Sequence, residues 1–347
     1  MNIALIGTGT IAHTHAEAVE SLPNATLLGC YSRSHEKAKQ FAAQHNCTAY
    51  GSLDNMLSNP KLDIVIVCTP SGNHLELGLK AMQYNKHVII EKPLEITLER
   101  VDKLIDYSQE KNLKLTCIFQ SRFTNAAREL KKAVEQERFG KITMADAIVK
   151  WYRTQEYYDS GKWRGTMELD GGGALMNQSI HAIDLLLWVM GDVEQIQAIT
   201  ATLGHERIEV EDTAAAVLKF KNGAIGTIQG TTAAYPGFRK RIEINGTHGS
   251  VVMEDDFFTK WTFKNETEDD KRIRKEYGEP STPGETASDP TVNPTDLFAL
   301  QIADFIEAIE NNRDPFITPR SARKSVDVIL GIYKSAGSSN PYFFTAK

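Results

Sequence analysis

The sequence predicts an α/β chain in two parts: an N-terminal doubly wound parallel sheet, then an α+β domain built on a large, mostly antiparallel open sheet. Up to about residue 120, short apolar runs alternate with amphipathic helical stretches, a pattern that requires crossover connections and so parallel strands. After about Phe123 the β-rich runs follow one another closely, and Asn222-Gly223 and Asn245-Gly246 stand between some of them, as in a meandering antiparallel sheet. The chain has 347 residues, 41% of them hydrophobic, which is enough to bury two cores. The boundary is expected at residues 1–122 and 123–347.

The elements are read in order. Strands are expected at residues 2–6, 26–31, 63–68, 87–90 and 113–119, with helices at 11–22, 35–45, 74–85 and 97–112 between them. A helix near 125–137 leads to a strand at 141–152, and further strands are expected at 195–203, 213–220, 224–232, 239–245 and 250–254. Residues 265–294 are rich in Asp, Glu, Lys, Pro, Thr and Ser with almost no apolar period, so a long loop is expected there. Two amphipathic segments follow, and the helices of 296–334 are expected to pack back on the first domain. An open sheet commonly covers its second face by association, which points to a homodimer or homotetramer.

Composition excludes several classes. A net charge of −6 without a basic cluster argues against nucleic acid or an anionic membrane as partner. No run approaches the ~18 apolar residues of a membrane span, and the strand beginning at Asn2 leaves no room for a signal peptide, so a cytoplasmic location is expected. Cys30, Cys47, Cys68 and Cys117 form no C-x-x-C pair, so no metal site is expected.

Two motifs carry chemistry. Gly7-Thr8-Gly9-Thr10-Ile11-Ala12 follows the first strand and opens the first helix, the form of a dinucleotide-binding Rossmann turn. Gly7 permits the sharp turn, Gly9 lets backbone approach a pyrophosphate, and the helix N-terminus faces the phosphates. An ordinary glycine-rich turn is the alternative. Thr69-Pro70 and Glu91-Lys92-Pro93 fall at the carboxyl ends of later strands, where such sheets bind ligands. About twenty residues past the glycines, where an acid would bind a ribose 2′-hydroxyl, the chain has Tyr31-Ser32-Arg33-Ser34, which favours NADP over NAD. Arg33 stacked on adenine would admit either. The second motif runs from Asp170-Gly171-Gly172-Gly173 to His181-Ala182-Ile183-Asp184 and reads as a loop entering a helix that stops at Gly191, with Asp170 near the N-cap. Asn177, His181 and Asp184 share one helix face. Either His181 is a buried residue bonded to Asp184, or the three groups line a site.

Four segments, Gly7 to Ala12, Cys68-Thr69-Pro70-Ser71-Gly72-Asn73-His74, Lys86 to Pro93 and Gly171 to Asp184, occur in the order found in one family. Over essentially its whole length the chain resembles the glucose-fructose oxidoreductase, inositol dehydrogenase and rhizopine-catabolism (Gfo/Idh/MocA) oxidoreductases. The resemblance implies hydride transfer between NAD(P) and a secondary hydroxyl or carbonyl of a sugar, sugar acid, cyclic polyol or nucleotide sugar. It assigns catalysis to Lys92 and His181, and cofactor binding to Gly7, Thr8, Gly9, Thr10, Ile11, Ser32, Arg33, Thr69, Pro70, Asn73, His74, Glu91, Lys92, Pro93 and Gln120. A lysine ionises near ~10.4, so Lys92 acts as base only where burial or positive charge lowers that value. It would otherwise be held by Glu91 or Glu95. The family usually has a carboxylate four residues before the histidine; Asn177 stands there and can orient a hydroxyl but not take its proton. That leaves Asp184 to fix the His181 tautomer. Trp163, Arg164 and Tyr235 are candidate substrate contacts, Trp163 and Arg164 being alternatively core filler and a surface ion pair. Tyr152, Arg239 and Arg122 are weaker neighbours. A redox-neutral NAD-dependent glycosidase and a noncatalytic dinucleotide-sensing regulator are the readings from other classes.

Overall fold

Every residue of Ile3–Ile6 is buried to within 2% of completely, which requires a strand covered on both faces. In the computed structural model, which describes residues 1–278 and 295–344, that strand is β1 (Asn2–Ile6). The chain forms two units. One holds Met1–Gln120 and the segment from Thr295 to Arg323; the other begins at Ser121 and includes the segment from Lys324 onward.

In the first unit β1 is followed by α1 (Thr10–Glu20), β2 (Thr26–Tyr31), α2 (His35–Gln44), β3 (Thr48–Ala49), α3 (Leu53–Leu57), β4 (Ile64–Val67), α4 (His74–Gln83), β5 (His87–Ile90), α5 (Leu98–Glu110) and β6 (Leu115–Cys117). The sheet order is β3-β2-β1-β4-β5-β6 with every pairing parallel. The order reverses between β1 and β4, so the carboxyl ends of these two strands flank the crevice where such a sheet binds ligands. The predicted doubly wound sheet is therefore present. Short β3 and α3 were not foreseen because two and five residues are too few to establish a period.

The second unit starts with α6 (Asn125–Glu135), β7 (Ile142–Lys150), α7 (Gln155–Asp159) and α8 (Ile180–Met190), the last entered through a π-helical turn at Ala174–Ser179. Strands β8 (Val193–Ala201), β9 (Thr213–Phe220), β10 (Ile225–Thr231), β11 (Arg241–Gly246), β12 (Gly249–Glu254) and β13 (Phe257–Phe263) follow, then α9 (Glu268–Tyr277), α10 (Thr295–Glu310), α11 (Pro319–Ser338) and β14 (Tyr342–Phe343). Of these, α10 and the start of α11 belong to the first unit. The eight-stranded sheet runs β13-β12-β11-β7-β10-β9-β8-β14; β7 and β10 are parallel and the other pairs antiparallel. Gly230 on β10 lets the π-helical turn approach, since a Cβ there would lie 2.7 Å from both Leu175 and Ser179 Oγ. On the other face Ile199, Val217 and Ile225 are 76%, 54% and 54% exposed.

Two expectations need correction. The loop expected over 265–294 contains α9, and residues 279–294 lie outside the described residues. Local electrostatics form this helix: Thr267 and Asp270 make a capping box, and Lys271–Glu268, Arg272–Asp269 and Arg272–Glu276 pair along its surface. Ile273 is its single buried apolar anchor, too little for a periodic signal. The helices of 296–334 also divide. α10 packs on α1, where Phe298, Ile302, Phe305 and Ile306 share a core with Ala12, Ala16 and Val19. From Lys324 onward α11 belongs to the second unit, where Ser335 Oγ accepts from the Ala198 amide and Gly331 faces Tyr342.

Candidate functional site

The first unit gathers the predicted dinucleotide residues at the carboxyl edge of its sheet. Gly7 has φ +102°, and a Cβ there would lie 2.5 Å from the Cys68 carbonyl oxygen, so the turn demands glycine. Gly9 differs: it caps α1 with no side-chain bond, and a Cβ would meet nothing within 4 Å. Thr8 and Ile11 are half-buried, Gly9 and Thr10 exposed, and the first amides of α1 open outward. Ser32 is half-buried and Arg33 exposed just after β2.

At the end of β4, Thr69 leads through Pro70 and a short 3-10 turn, Ser71–Asn73, into α4. The Thr69 hydroxyl oxygen is buried without a hydrogen-bond partner, and so is Gln120 Oε1 after β6. Gln301 of α10 holds the chain just before Gln120, donating to the Cys117 carbonyl at 2.8 Å and accepting from the Phe119 amide at 3.1 Å. Two orphaned oxygens at the carboxyl edge that also carries the open Gly9 turn suit a polar ligand with hydroxyl and amide donors, which a nicotinamide dinucleotide provides. His74 plays another part. It is fully buried, with Nδ1 2.9 Å from the Pro93 carbonyl and Nε2 3.0 Å from the Thr69 carbonyl, so it lies between the loops that follow β4 and β5.

Glu91-Lys92-Pro93 ends β5 with a cis Lys92–Pro93 bond. Glu91 accepts from His15 of α1 at 2.7 Å and from the Lys92 amide at 3.1 Å. Burial opposes ionisation of Glu91, but the bond and charge from His15 and the charge of Lys92 outweigh it and hold its carboxyl below the usual range. Glu95 instead pairs with Arg100 at 2.9 Å. His15 was missed in the sequence because it lies on the buried side of α1 and acquires meaning only through Glu91, 76 residues away.

The second unit places Asn177, Gln178 and His181 around the π-helical turn. Glycines allow this turn to pack: a Cβ on Gly173 would collide with the Glu211 carbonyl and one on Gly172 with the Tyr333 hydroxyl. Asp170 does not cap the helix as expected; it accepts from the Gly165 amide at 2.9 Å and from Asn177 Nδ2 at 2.5 Å. The cap's partner is Glu211, whose two oxygens accept from the Gly173 and Leu175 amides and, at 3.0 Å, from the Tyr333 hydroxyl. Burial raises the Glu211 carboxyl to about 7 against those bonds. Glu211 also escaped notice in the sequence, where its only signal is the acidic pair Glu211-Asp212 opening β9.

Asp184 does not fix the His181 tautomer. Both its oxygens are taken by Arg122, at 2.7 and 2.5 Å, and both residues are almost fully buried. Burial outweighs Arg122 and raises the Asp184 carboxyl. The same ion pair uses Arg122, which was a candidate cofactor neighbour. Asn177 and His181 remain half-buried. Tyr235 is 78% exposed and meets Tyr152 edge to face at 5.2 Å, and Arg239 lies over Phe257. Arg164 and Trp163 do meet: the guanidinium lies 4.5 Å from the Trp163 ring centroid and 4.3 Å from that of Tyr157, whose hydroxyl it bonds at 2.9 Å. Among the described residues no cluster of three or more His, Cys, Asp or Glu could hold a metal ion, and no helix is long and apolar enough to cross a membrane.

The open Gly9 cradle at the switch of a parallel sheet fits the family that matches this chain. Residues 1–119 match the oxidoreductase family with an NAD-binding Rossmann fold, and residues 127–252 match the GFO/IDH/MocA C-terminal domain. The chain belongs to the GFO/IDH/MocA oxidoreductases. Among solved structures, the WlbA dehydrogenase from Bordetella pertussis, in complex with NADH and UDP-GlcNAcA, is 32% identical with a TM-score of 0.90. That likeness covers 100% of this chain and 98% of the relative. Myo-inositol 2-dehydrogenase of Thermotoga maritima is 29% identical over 73% of this chain and 75% of its own. The 1,5-anhydro-D-fructose reductase of Ensifer adhaerens is 26% identical over 96% of each.

Proposed function

We propose that this oxidoreductase transfers hydride between a nicotinamide dinucleotide and a secondary hydroxyl or carbonyl of a carbohydrate, with Lys92 and His181 handling the proton. The observation that carries the reading lies in the first unit. Lys92 ends β5 at the same sheet edge where the β1–α1 turn leaves an unfilled cradle and where Thr69 and Gln120 keep orphaned buried oxygens. The turn from Gly7 to Ile11 would hold the pyrophosphate, with the Gly7 amide itself spent on the Tyr31 carbonyl at 2.9 Å; Ser32 and Arg33 would hold the adenosine end, and Thr69, Pro70, Asn73, Glu91, Pro93 and Gln120 the remainder. The bound nicotinamide supplies the hydride acceptor or donor. Lys92 exchanges the proton of the reacting oxygen, with its backbone amide anchored on Glu91. His181 is the second proton-handling group, carried at the start of α8. Asn177, its amide bonded to Asp170 and Gln178, holds the entrance to that helix.

Ser32-Arg33-Ser34, with no acid among them, follow β2, and exposed Arg33 suits a 2′-phosphate, so the reading leans to NADP. A sugar, sugar acid, cyclic polyol or nucleotide sugar as substrate is supported by the named relatives. Four free cysteines suit the cytoplasm, and exposed Ile199, Val217 and Ile225 on the outer face of the large sheet suit a homodimer or homotetramer. The test is reduction of NAD and NADP at the nicotinamide absorbance band with inositols, aldoses, uronic acids and UDP-linked sugars. Turnover on one class is expected, falling about 10²–10⁴-fold in Lys92→Ala while NADH binding persists. Binding of NADH without turnover on any class, or undiminished turnover in the variant, overturns the reading.

A further inference from the structure

Two arginines of the second unit have no carboxylate. Arg153 is 6% exposed, yet its guanidinium bonds only the neutral oxygens Tyr152 O at 2.9 Å and Gln178 Oε1 at 3.0 Å. Its Nε is buried without an acceptor, and so is Trp151 Nε1, two residues back along the same extended segment and on the same side of it. The Arg153 guanidinium lies 5.1 Å from the Trp151 ring centroid and 5.6 Å from that of Tyr157. Arg164 packs on Tyr157 as well, so one phenol ring carries two cations. Among the described residues no carboxylate is within ion-pair distance of either arginine. The Tyr157 hydroxyl accepts from both Arg164 and Gln178 at 2.9 Å, which leaves its own O–H to donate.

A buried guanidinium without a counter-ion is costly, and unpaired buried donors beside it add to the cost. The fold nevertheless holds Arg153 firmly. Its amide donates to Thr232 O at 2.8 Å, and its carbonyl lies 2.8 Å from Nε2 of His205, whose other nitrogen is bonded to Asp212. Such an arrangement is completed by oxygen atoms bearing negative charge. We propose that Arg153, Arg164 and Tyr157, with Trp151 Nε1, form a subsite for an oxyanion, carboxylate or phosphate, carried by the substrate. The inference rests on the carbohydrate reading above and narrows it to anionic sugars. Gln178 links Arg153 to Asn177, Gln178 Nε2 donating to Asn177 Oδ1 at 2.8 Å, so an occupied subsite would also brace the turn that leads to His181.

Calorimetric titration of NADH-loaded protein with D-glucose, D-glucuronate, UDP-N-acetylglucosamine and UDP-N-acetylglucosaminuronate decides the matter. An anionic compound is expected to bind about 30-fold more tightly than its neutral counterpart. Preference for each uronate over its parent sugar assigns the subsite to a carboxylate; preference for both UDP-sugars over both free sugars assigns it to phosphate. In Arg153→Gln the preference should shrink to about threefold or less, and Arg153→Lys, which keeps the charge but not the fork, should retain part of it. If Arg153→Gln does not fold, the same ordering in Arg153→Lys and Arg164→Gln supplies the comparison. Equal binding of charged and neutral compounds, binding of none of the four, or a preference unchanged in folded variants overturns the proposal. Hydride transfer is read on the same four compounds. Charge preference without turnover sinks the dehydrogenase reading and leaves the subsite; turnover without charge preference does the reverse.

Discussion

Gly7 and Gly9 stand two residues apart and are glycine for different reasons. At Gly7 the positive φ and the nearby Cys68 carbonyl forbid a side chain, so Gly7→Ala should cost about 2 kcal/mol or more in denaturant unfolding. At Gly9 the protein itself has room for a Cβ. Gly9→Val should therefore cost no more than about 1 kcal/mol, the loss of a tolerated N-cap residue, while weakening NADH binding about tenfold or more, as read by fluorescence titration. Equal losses of stability at both positions would refute the distinction. Asn177 also gains a reason. Its amide touches the buried carboxylate of Asp170 at 2.5 Å, so the acid usual at this position in the family would put two carboxylates in contact. Asn177→Asp should raise the pKa of that pair. A raised carboxyl binds its proton longer in the folded state, so the variant should lose stability relative to wild type as pH rises from 4 to 8. A penalty independent of pH would count against it.

Among the elements, the π-helical turn and α9 show how little local pattern can reveal. The turn depends on Glu211, which arrives from the loop just before β9 to take two amides at its entrance. With its carboxyl raised from 4.5 to about 7, folding retains a proton that the unfolded chain releases, so this group erodes stability between those pH values, by about 3 kcal/mol in all. The stability of Glu211→Gln minus that of wild type should climb over the same interval; a flat difference would exclude the raised carboxyl. For α9 the capping box carries the start, and Asp270 also accepts from Arg138 at 2.6 Å and Trp261 Nε1 at 2.7 Å. Thr267→Ala should cost about 1 kcal/mol and Asp270→Ala about 3 kcal/mol, since the latter also strands a buried indole donor and a half-buried guanidinium. Urea unfolding measures both.

For the whole molecule, the open face of the eight-stranded sheet is the feature to test. Val217 and Ile199 lie on adjacent strands β9 and β8, pointing away from the covered face with Ile225 nearby on β10. If a second copy covers this face, as proposed, the double variant Ile199→Asp, Val217→Asp should sediment as a smaller species than wild type with unchanged far-ultraviolet circular dichroism. Wild type sedimenting as a monomer would dismiss the dimer or tetramer.

By itself the sequence determined what repeats or what is local. Alternating apolar runs and helical stretches set the parallel sheet, Asn222-Gly223 marked the β9–β10 hairpin, and the glycines of the first turn and Lys92 after β5 marked the carboxyl edge of that sheet. Each of these signals lies within a few residues, where backbone sterics and side-chain period act directly. Only the tertiary structure decided which acid met which base. Asp184 pairs with Arg122, 62 residues away, and not with His181; Glu91 pairs with His15; Glu211 supports a turn 36 to 38 residues before it. It likewise left Arg153 buried without a counter-ion. Charge partners are chosen by burial, which brings distant groups together where water cannot solvate them, and a linear pattern carries no record of that choice.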